Sequence, residues 1–225
     1  MKFRHQLRYQ LVRLCETSYA QADFWIQSGR VRVQGEKVED PFTETQKWQS
    51  IELDDQTLRT RIQYHYLLWY KPIGIECTQQ VKVENNLQSV LPEEFHGLFP
   101  LGRLDFNSEG LLLLTNDGDA YKRWMQPGAE VEKEYEVETR DPVNDALRKA
   151  FENPFQLGPR WTLPAEFLQT GANSFRVILK EGINRQIRRI CAKNQNQVVR
   201  LKRIRFGPYL LEDMSPNAYR LVDSF

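Results

Sequence analysis

The stretch Leu101-Gly102-Arg103-Leu104-Asp105-Phe106-Asn107-Ser108-Glu109-Gly110-Leu111-Leu112-Leu113-Leu114-Thr115 sets a polar loop against an apolar run. The run shows no alternation, which predicts a strand buried on both faces. Asp105 lies directly before it, between two glycines. A carboxylate held at the lip of a rigid sheet is placed to act as a nucleophile or a base. Taken alone, Asp105 reads first as a loop aspartate that merely caps or pairs. Arg103, two residues away, is a candidate partner or phosphate ligand.

Working outward, Ile62, Tyr64, Tyr66 and Leu68 alternate as a strand that Lys71-Pro72-Ile73-Gly74 breaks. Asp117 caps a predicted helix that runs to Met125, before Pro127 stops it. Tyr135 and Val137 alternate with Glu134, Glu136 and Glu138 in a further strand. Asp141-Pro142 reads as a cap with proline at the first helical position, opening a helix to about Asn153. Residues 166–169 and 175–179 form a hairpin across Gly171-Ala172-Asn173. Residues 184–196 are expected to be helical, burying Ile187, Ile190 and Cys191, and residues 198–206 return as a strand ending at Gly207-Pro208. Hairpins with intervening helices predict an α+β fold over residues 62–225: a mixed, largely antiparallel sheet with flanking helices.

With 225 residues, 40% of them hydrophobic, and five Trp and twelve Phe, the chain can build a core, which excludes general disorder. The longest apolar run, residues 110–114, is far below the roughly 20 residues of a spanning helix, so no membrane is expected. The opening residues lead into no apolar signal core, so no secretory leader is expected. Cys15, Cys77 and Cys191 are unclustered, which suits reduced thiols and a cytoplasmic location. His5, His65 and His96 stand alone and leave little material for a metal site. The net charge of +1 conceals an uneven distribution: residues 180–206 hold nine Lys/Arg against one Asp/Glu. Such a block is either the footprint of a phosphate-rich partner or a solvated basic face.

Residues 1–58 read as a small separate α/β unit, with residues 54–61 as a linker. Leu7, Leu11, Val12 and Leu14 recur at helical spacing, and residues 20–26 suggest a second helix after Ser18. Then comes Gly29-Arg30-Val31-Arg32-Val33-Gln34-Gly35. Gly29 ends the helix in a left-handed conformation, Val31 and Val33 point inward, and Arg30 and Arg32 point out. This stretch resembles the G-R-V-x-V-N-G hallmark of the small RNA-binding domain first named for a small-subunit ribosomal protein, with Gln34 in place of Asn. That family's Arg-Leu-Asp opening and its S-R-R patch are absent; the latter region reads Thr17-Ser18-Tyr19-Ala20-Gln21. A generic helix-plus-hairpin module is the alternative.

Four further segments occur in order: Lys71-Pro72-Ile73-Gly74, the Gly102-Arg103-Leu104-Asp105 loop with residues 110–115, Glu132-Lys133-Glu134-Tyr135, and Gly182-Ile183-Asn184-Arg185-Gln186-Ile187-Arg188-Arg189-Ile190. From Tyr66 to Leu221 the chain resembles the bacterial ribosomal RNA pseudouridine synthases of the RsuA-like branch. The N-R-Q-I-R-R wording followed by Cys191 is most similar to members acting on large-subunit (23S) rRNA. Ser108 stands where the family often has Thr, Ile190 where it has Met, and Asn196 where a helix-ending Gly is usual.

The resemblance implies an isomerase that detaches a uracil from its ribose, turns it and rejoins it through carbon, with no metal, nucleotide or redox cofactor. It implies Asp105 as the catalytic residue and Tyr135 as a residue that stacks on the flipped base, against the plainer reading of a core tyrosine. It implies Arg188 as the partner that holds Asp105 ionised. Arg185 and Arg189 share that helix and cannot all enter one pocket with Arg188, so at least one is expected to face phosphate. Expected RNA contacts are Arg103, Lys71, Lys133, Arg185 and Arg189, with Arg30 and Arg32 in the N-terminal unit. The expected partner is ribosomal RNA or a ribosome assembly intermediate, met by a monomer. The alternatives are a non-catalytic RNA-binding or assembly factor on the same fold, a synthase acting on 16S rRNA or tRNA, and a glycoside hydrolase. A hydrolase would need two cooperating carboxylates, and only Asp105 sits in a recognisable constellation.

Overall fold

In the computed structural model the described residues are 5–46, 48–59, 63–80, 82–126 and 128–225, Arg59 by its backbone. The expectations at Met1–Arg4, Thr60–Ile62 and Pro127 lie outside them. The chain divides into two compact units, Met1–Tyr64 and His65–Phe225.

In the first unit, helices α1 (Leu7–Cys15) and α2 (Tyr19–Gln27) pack over a four-stranded sheet. Ser18 caps α2 by accepting from the Gln21 amide, and Gly29 follows it at φ 70°. Strands β1 (Val31–Val33), β2 (Glu36–Lys37), β3 (Ile51–Leu53) and β4 (Gln56–Arg59) lie in the order β2-β1-β3-β4. Leu7, Leu11, Ala22, Ile26, Val31, Val33 and Ile51 form their core, whereas Leu14 is exposed. The linker expected over residues 54–61 is instead largely a hairpin. Asp54 and Asp55 both have positive φ, as a type I′ turn requires, and β4 pairs back on β3. An acidic, turn-prone pair reads as linker only when the strand beyond it goes unnoticed.

The second unit is α+β. Its strands are β5 (Tyr66–Lys71), β6 (Phe99–Leu101), β7 (Glu109–Thr115) and β8 (Lys133–Thr139), then β9 (Gln156–Leu157), β10 (Arg160–Trp161), β11 (Glu166–Gly171) and β12 (Ser174–Leu179). They end with β13 (Val198–Phe206), β14 (Tyr209–Leu210) and β15 (Tyr219–Val222). Helices α3 (Gly118–Met125), α4 (Asp145–Glu152) and α5 (Gln186–Lys193) flank them. The main sheet runs β11-β12-β8-β13-β7-β5-β15, with β14 on β13 and β6 on β7. Every pairing in it is antiparallel except one. Strand β13 meets β7 in parallel over two residue pairs, Lys202 with Glu109 and Arg203 with Gly110.

All seven residues of β7 are buried. Leu112 and Leu114 join the core under α4 and α5, with Trp69, Phe151 and Ile190. Leu111 and Leu113 face the other side, with Leu68, Tyr70 and Phe206. Two cores, one on each face, are why the run does not alternate. Strand β5 begins at Tyr66, leaving the expected Tyr64 outside it, and is buried from Leu67 to Lys71 for the same reason. Asp117 caps α3, accepting from the amides of Asp119 and Ala120. The cap of α4 is Asn144, three residues later than expected, because its side chain and not that of Asp141 accepts from a helical amide, that of Leu147. Helix α5 is shorter than residues 184–196. Its left-handed end is Gln195, while Asn196 turns its amide onto the Asp141 backbone.

Candidate active site

Asp105 stands midway along the loop between β6 and β7, and that loop is held by its carbonyls. Gly74 N–H donates to the Phe106 oxygen at 2.8 Å. The Arg188 Nη2 donates to the Asn107 oxygen at 2.6 Å and to Ser108 Oγ at 3.2 Å. The Lys71 Nζ donates to the Ser108 oxygen at 2.8 Å and the Pro72 oxygen at 2.9 Å. The Lys-Pro-x-Gly segment is therefore a clamp: its lysine and its glycine (φ 86°) each hold one turn of the loop. Lys71 was expected to contact RNA, and this is corrected. It is fully buried, and burial pushes its pKa down to about 8. A lysine enclosed by the sheet cannot reach a solvated phosphate.

Two arginines face the Asp105 carboxylate. The Arg185 Nη1 lies 3.5 Å from Oδ2 and the Arg188 Nε lies 3.9 Å from it. Arg188 is the better fixed, because its Nη1 also donates to the Val198 oxygen at 3.3 Å. Burial and then Arg185 hold its pKa below the usual arginine value, against the pull of Asp105. Arg185 precedes α5 in a left-handed conformation (φ 52°) and is more exposed. Arg189 points outward, donating weakly to the Asn184 oxygen at 3.4 Å.

The carboxylate opens on a cleft of about 1090 Å³. Its walls are the Asp105 loop with Arg103, helix α3 through Trp124, the segment before α5 with Arg185, and the inward faces of β8 and β13. Tyr135 is 9% exposed and forms part of the floor beside Lys133. The Lys133 Nζ donates to the Val131 oxygen at 2.8 Å, and burial together with Arg203 pushes its pKa down to about 8. Arg203, in register with Tyr135, also lines the cleft. Sequence reading passed over it inside the basic block. The available signal was its phase: with Leu201 and unlike Arg200, it falls on the inward register of β13.

Part of the basic block is paired within the fold. Glu134 and Glu136 of β8 face Arg205 at 3.0 Å and Lys202 at 4.0 Å, and Glu138 faces Arg200 at 3.5 Å. Arg200 also reaches Glu109 at 2.6 Å, and Lys180 reaches Glu132 at 3.7 Å. Much of the block neutralises the acidic strand beside it. In the N-terminal unit, Arg30 pairs with Asp54, and Arg32 lies 3.8 Å from Asp55. Among the described residues, no helix is long and apolar enough to cross a membrane.

A carboxylate braced at the rim of a cleft of this size, with a tyrosine on its floor, leaves room for a nucleotide beside it. The sequence profile of RNA pseudouridylate synthases matches residues 65–193, and the chain belongs to that family of enzymes. Its relatives are those of the RsuA-like branch. It is 33% identical over 218 residues to the ribosomal small subunit pseudouridine synthase A of Pseudomonas aeruginosa, spanning 95% of each chain. It is 31% identical over 233 residues to the ribosomal large subunit pseudouridine synthase B of the same organism, spanning 97% of this chain and 59% of that one. A solved pseudouridylate synthase superimposes with a TM-score of 0.67 at 25% identity, covering 97% of this chain and 96% of the other.

Proposed function

We propose that this enzyme isomerises uridine to pseudouridine in ribosomal RNA, with Asp105 as the reacting carboxylate. The observation that carries the reading is the braced Asp105 loop at the cleft rim, with Arg185 and Arg188 within 4 Å of one carboxylate oxygen. Two guanidinium groups place positive charge beside the carboxylate that attacks the ribose or the base. Tyr135 offers its ring to the flipped base, and Arg103 at the mouth is placed for the flanking phosphates. Arg188 positions the loop as much as it balances the charge. The N-terminal unit adds a second RNA contact. Its outward arginines each face a turn aspartate that a phosphate must displace, so its contribution is modest.

The named relatives support ribosomal RNA as the substrate. The N-R-Q-I-R-R wording of residues 184–189 favours the large subunit. The length match to the small-subunit synthase, 95% against 59%, favours the other. Pseudouridine mapping of both rRNAs, in cells with and without this protein, chooses between them; no lost site in either would overturn the ribosomal reading.

For Asp105 the test is Asp105→Asn, which is nearly isosteric and removes only the charge. The variant is expected to bind RNA as the parent does and to form no pseudouridine. Residual turnover within about tenfold of the parent would refute the assignment, because losing a covalent or charge-stabilising group costs far more.

A further inference from the structure

Three cations lie beneath the cleft without a carboxylate of their own. The Lys71 Nζ is bound by carbonyls of the loop above it. The Lys133 Nζ has the Val131 oxygen and the face of Phe206, 5.3 Å from the ring centroid. Arg203 is 1% exposed; its Nε donates to the Leu111 oxygen at 2.7 Å, and its guanidinium lies 4.8 Å over the same Phe206 ring. The Arg203 Nη2 is buried and has no hydrogen-bond partner among the described residues. Of the acids lining the cleft, Asp105 faces Arg185 and Arg188, and Glu181 accepts from the Leu163 amide and the Gln186 side chain. Glu130 lies on the segment before β8, and no ion pair joins it to Lys133 or Arg203. Enclosing charge without a counter-ion is costly, and such a cluster persists where a ligand supplies the missing negative charge.

That ligand is not a backbone phosphate, because the Arg203 guanidinium is enclosed within the sheet. An extruded base can reach Lys133, which lines the cleft and is only partly buried, with Arg203 enclosed beside it. In the isomerisation the C1′–N1 bond breaks and its electron pair leaves with the base, so the free uracil carries negative charge spread over N1, O2 and O4. After the base turns, C5 supplies the pair for the new C5–C1′ bond, and the proton on C5 is exchanged for one on N1. The charge exists only between those two steps. We infer that Lys133 and Arg203 form the subsite that holds the detached uracil as its anion, Lys133 facing a base carbonyl from the cleft wall and the enclosed Arg203 adding positive charge beside it while the base turns. Tyr135, in register with Arg203, keeps the ring in plane beside them. The inference rests on the reading of Asp105 as the group that takes over the ribose carbon.

The experiment is single-turnover conversion of an rRNA transcript, with affinity measured separately by gel shift. Lys133 is only partly buried, so its variants are the safe ones. Lys133→Met is expected to slow conversion by about 100-fold or more, on the scale of a lost oxyanion donor, with Kd within about threefold. Arg203 from β13 is the charge that bears on Lys133 most directly; the other charged and titratable groups lining the cleft with it are Arg103 and Asp105 from the loop, Glu130, Tyr135 on its own strand, Lys180, Glu181 and Arg185. With its pKa near 8, the parent rate should fall above about pH 8 as Lys133 loses its proton. Lys133→Arg keeps the charge, so it should retain the rate at pH 7 within about tenfold and abolish that alkaline fall. A structural role would not move the pH profile. Conversion by Lys133→Met within threefold of the parent, or an unchanged alkaline limb in Lys133→Arg, overturns the subsite. Run beside them, Asp105→Asn separates the two readings: if it is inactive while the Lys133 variants behave as the parent, the subsite alone falls. If it converts RNA, the assignment of Asp105 falls first.

Discussion

Gly110 is where the two strands that carry the site touch, and its replacement by alanine is worked from their geometry. Gly110 has φ +108° and sits opposite Arg203 in the parallel pairing of β7 with β13. A Cβ built there lies 2.3 Å from the Arg203 oxygen, 2.7 Å from its nitrogen and 3.0 Å from its carbonyl carbon. All three are backbone, so no rotamer relieves them. Ordinary contact begins near 3.4 Å, and the strands must part by about 1 Å. The positive φ alone costs an L-residue about 1–2 kcal/mol, and overpacking adds about 1–3 kcal/mol. Gly110→Ala should therefore lose roughly 2–5 kcal/mol, which for a unit of this size lowers Tm by about 4–20 °C. Thermal unfolding followed by circular dichroism measures it. Gly97→Ala is the control: nothing lies within 4 Å of its Cβ position, its φ is ordinary, and its Tm should hold or rise slightly. A Gly110→Ala protein melting within about 2 °C of the parent would refute the close approach, and with it the placement of Arg203 against β7.

Two other outcomes test the electrostatics. Arg188→Ala removes the charge facing Asp105 and the bonds to the Asn107 oxygen and Ser108 Oγ, so conversion should fall at least about 100-fold with RNA affinity within threefold; Arg188→Lys, lacking the planar fork, should restore it only in part. Equal losses of binding and turnover in Arg188→Ala would make it a phosphate contact. Lys202→Gln should leave RNA affinity and its salt dependence unchanged, because Lys202 faces Glu136, whereas Arg189→Gln should weaken binding and reduce the salt slope by about 0.7, as for one phosphate contact on single strands. A gel-shift titration at several salt concentrations reads both.

The architecture was legible wherever local chemistry decided it. The caps at Ser18 and Asp117 use a short oxygen-bearing side chain whose geometry needs nothing distant. The buried β7 announced itself because four successive leucines have no solvent face to offer. What could not be read depended on partners far along the chain. The Asp54-Asp55 turn looks like a linker until β4 is seen pairing with β3. Lys71 looks like a phosphate ligand until a loop some 37 residues away supplies its acceptors. The basic block looks like an RNA face until β8 places its glutamates alongside. In each case the sequence reports the charge and only the fold reports its partner. Of the motif residues, Asp105 and Tyr135 line one cleft, while Arg188 braces the loop behind Asp105 and stays farther from the carboxylate than Arg185 does. Arg203 and its unpartnered nitrogen carry no motif that stood out from their basic neighbours.

The outer edge of β5 is covered only by β15, which supplies the Asn217 carbonyl side chain to Trp69 Nε1 at 3.2 Å just ahead of it and pairs along Tyr66–Trp69. Some 150 residues of chain separate the two strands. At about 5–20 residues per second, a ribosome making this protein leaves that apolar edge bare for roughly 8–30 s after β5 emerges. An uncovered edge of Leu, Leu and Trp is a template for wrong pairing. The nascent chain therefore depends on whatever shields it during that interval, and a chain ended between residues 211 and 218, which keeps Asp105, Tyr135 and Arg203, is expected to aggregate on light scattering where the full chain does not.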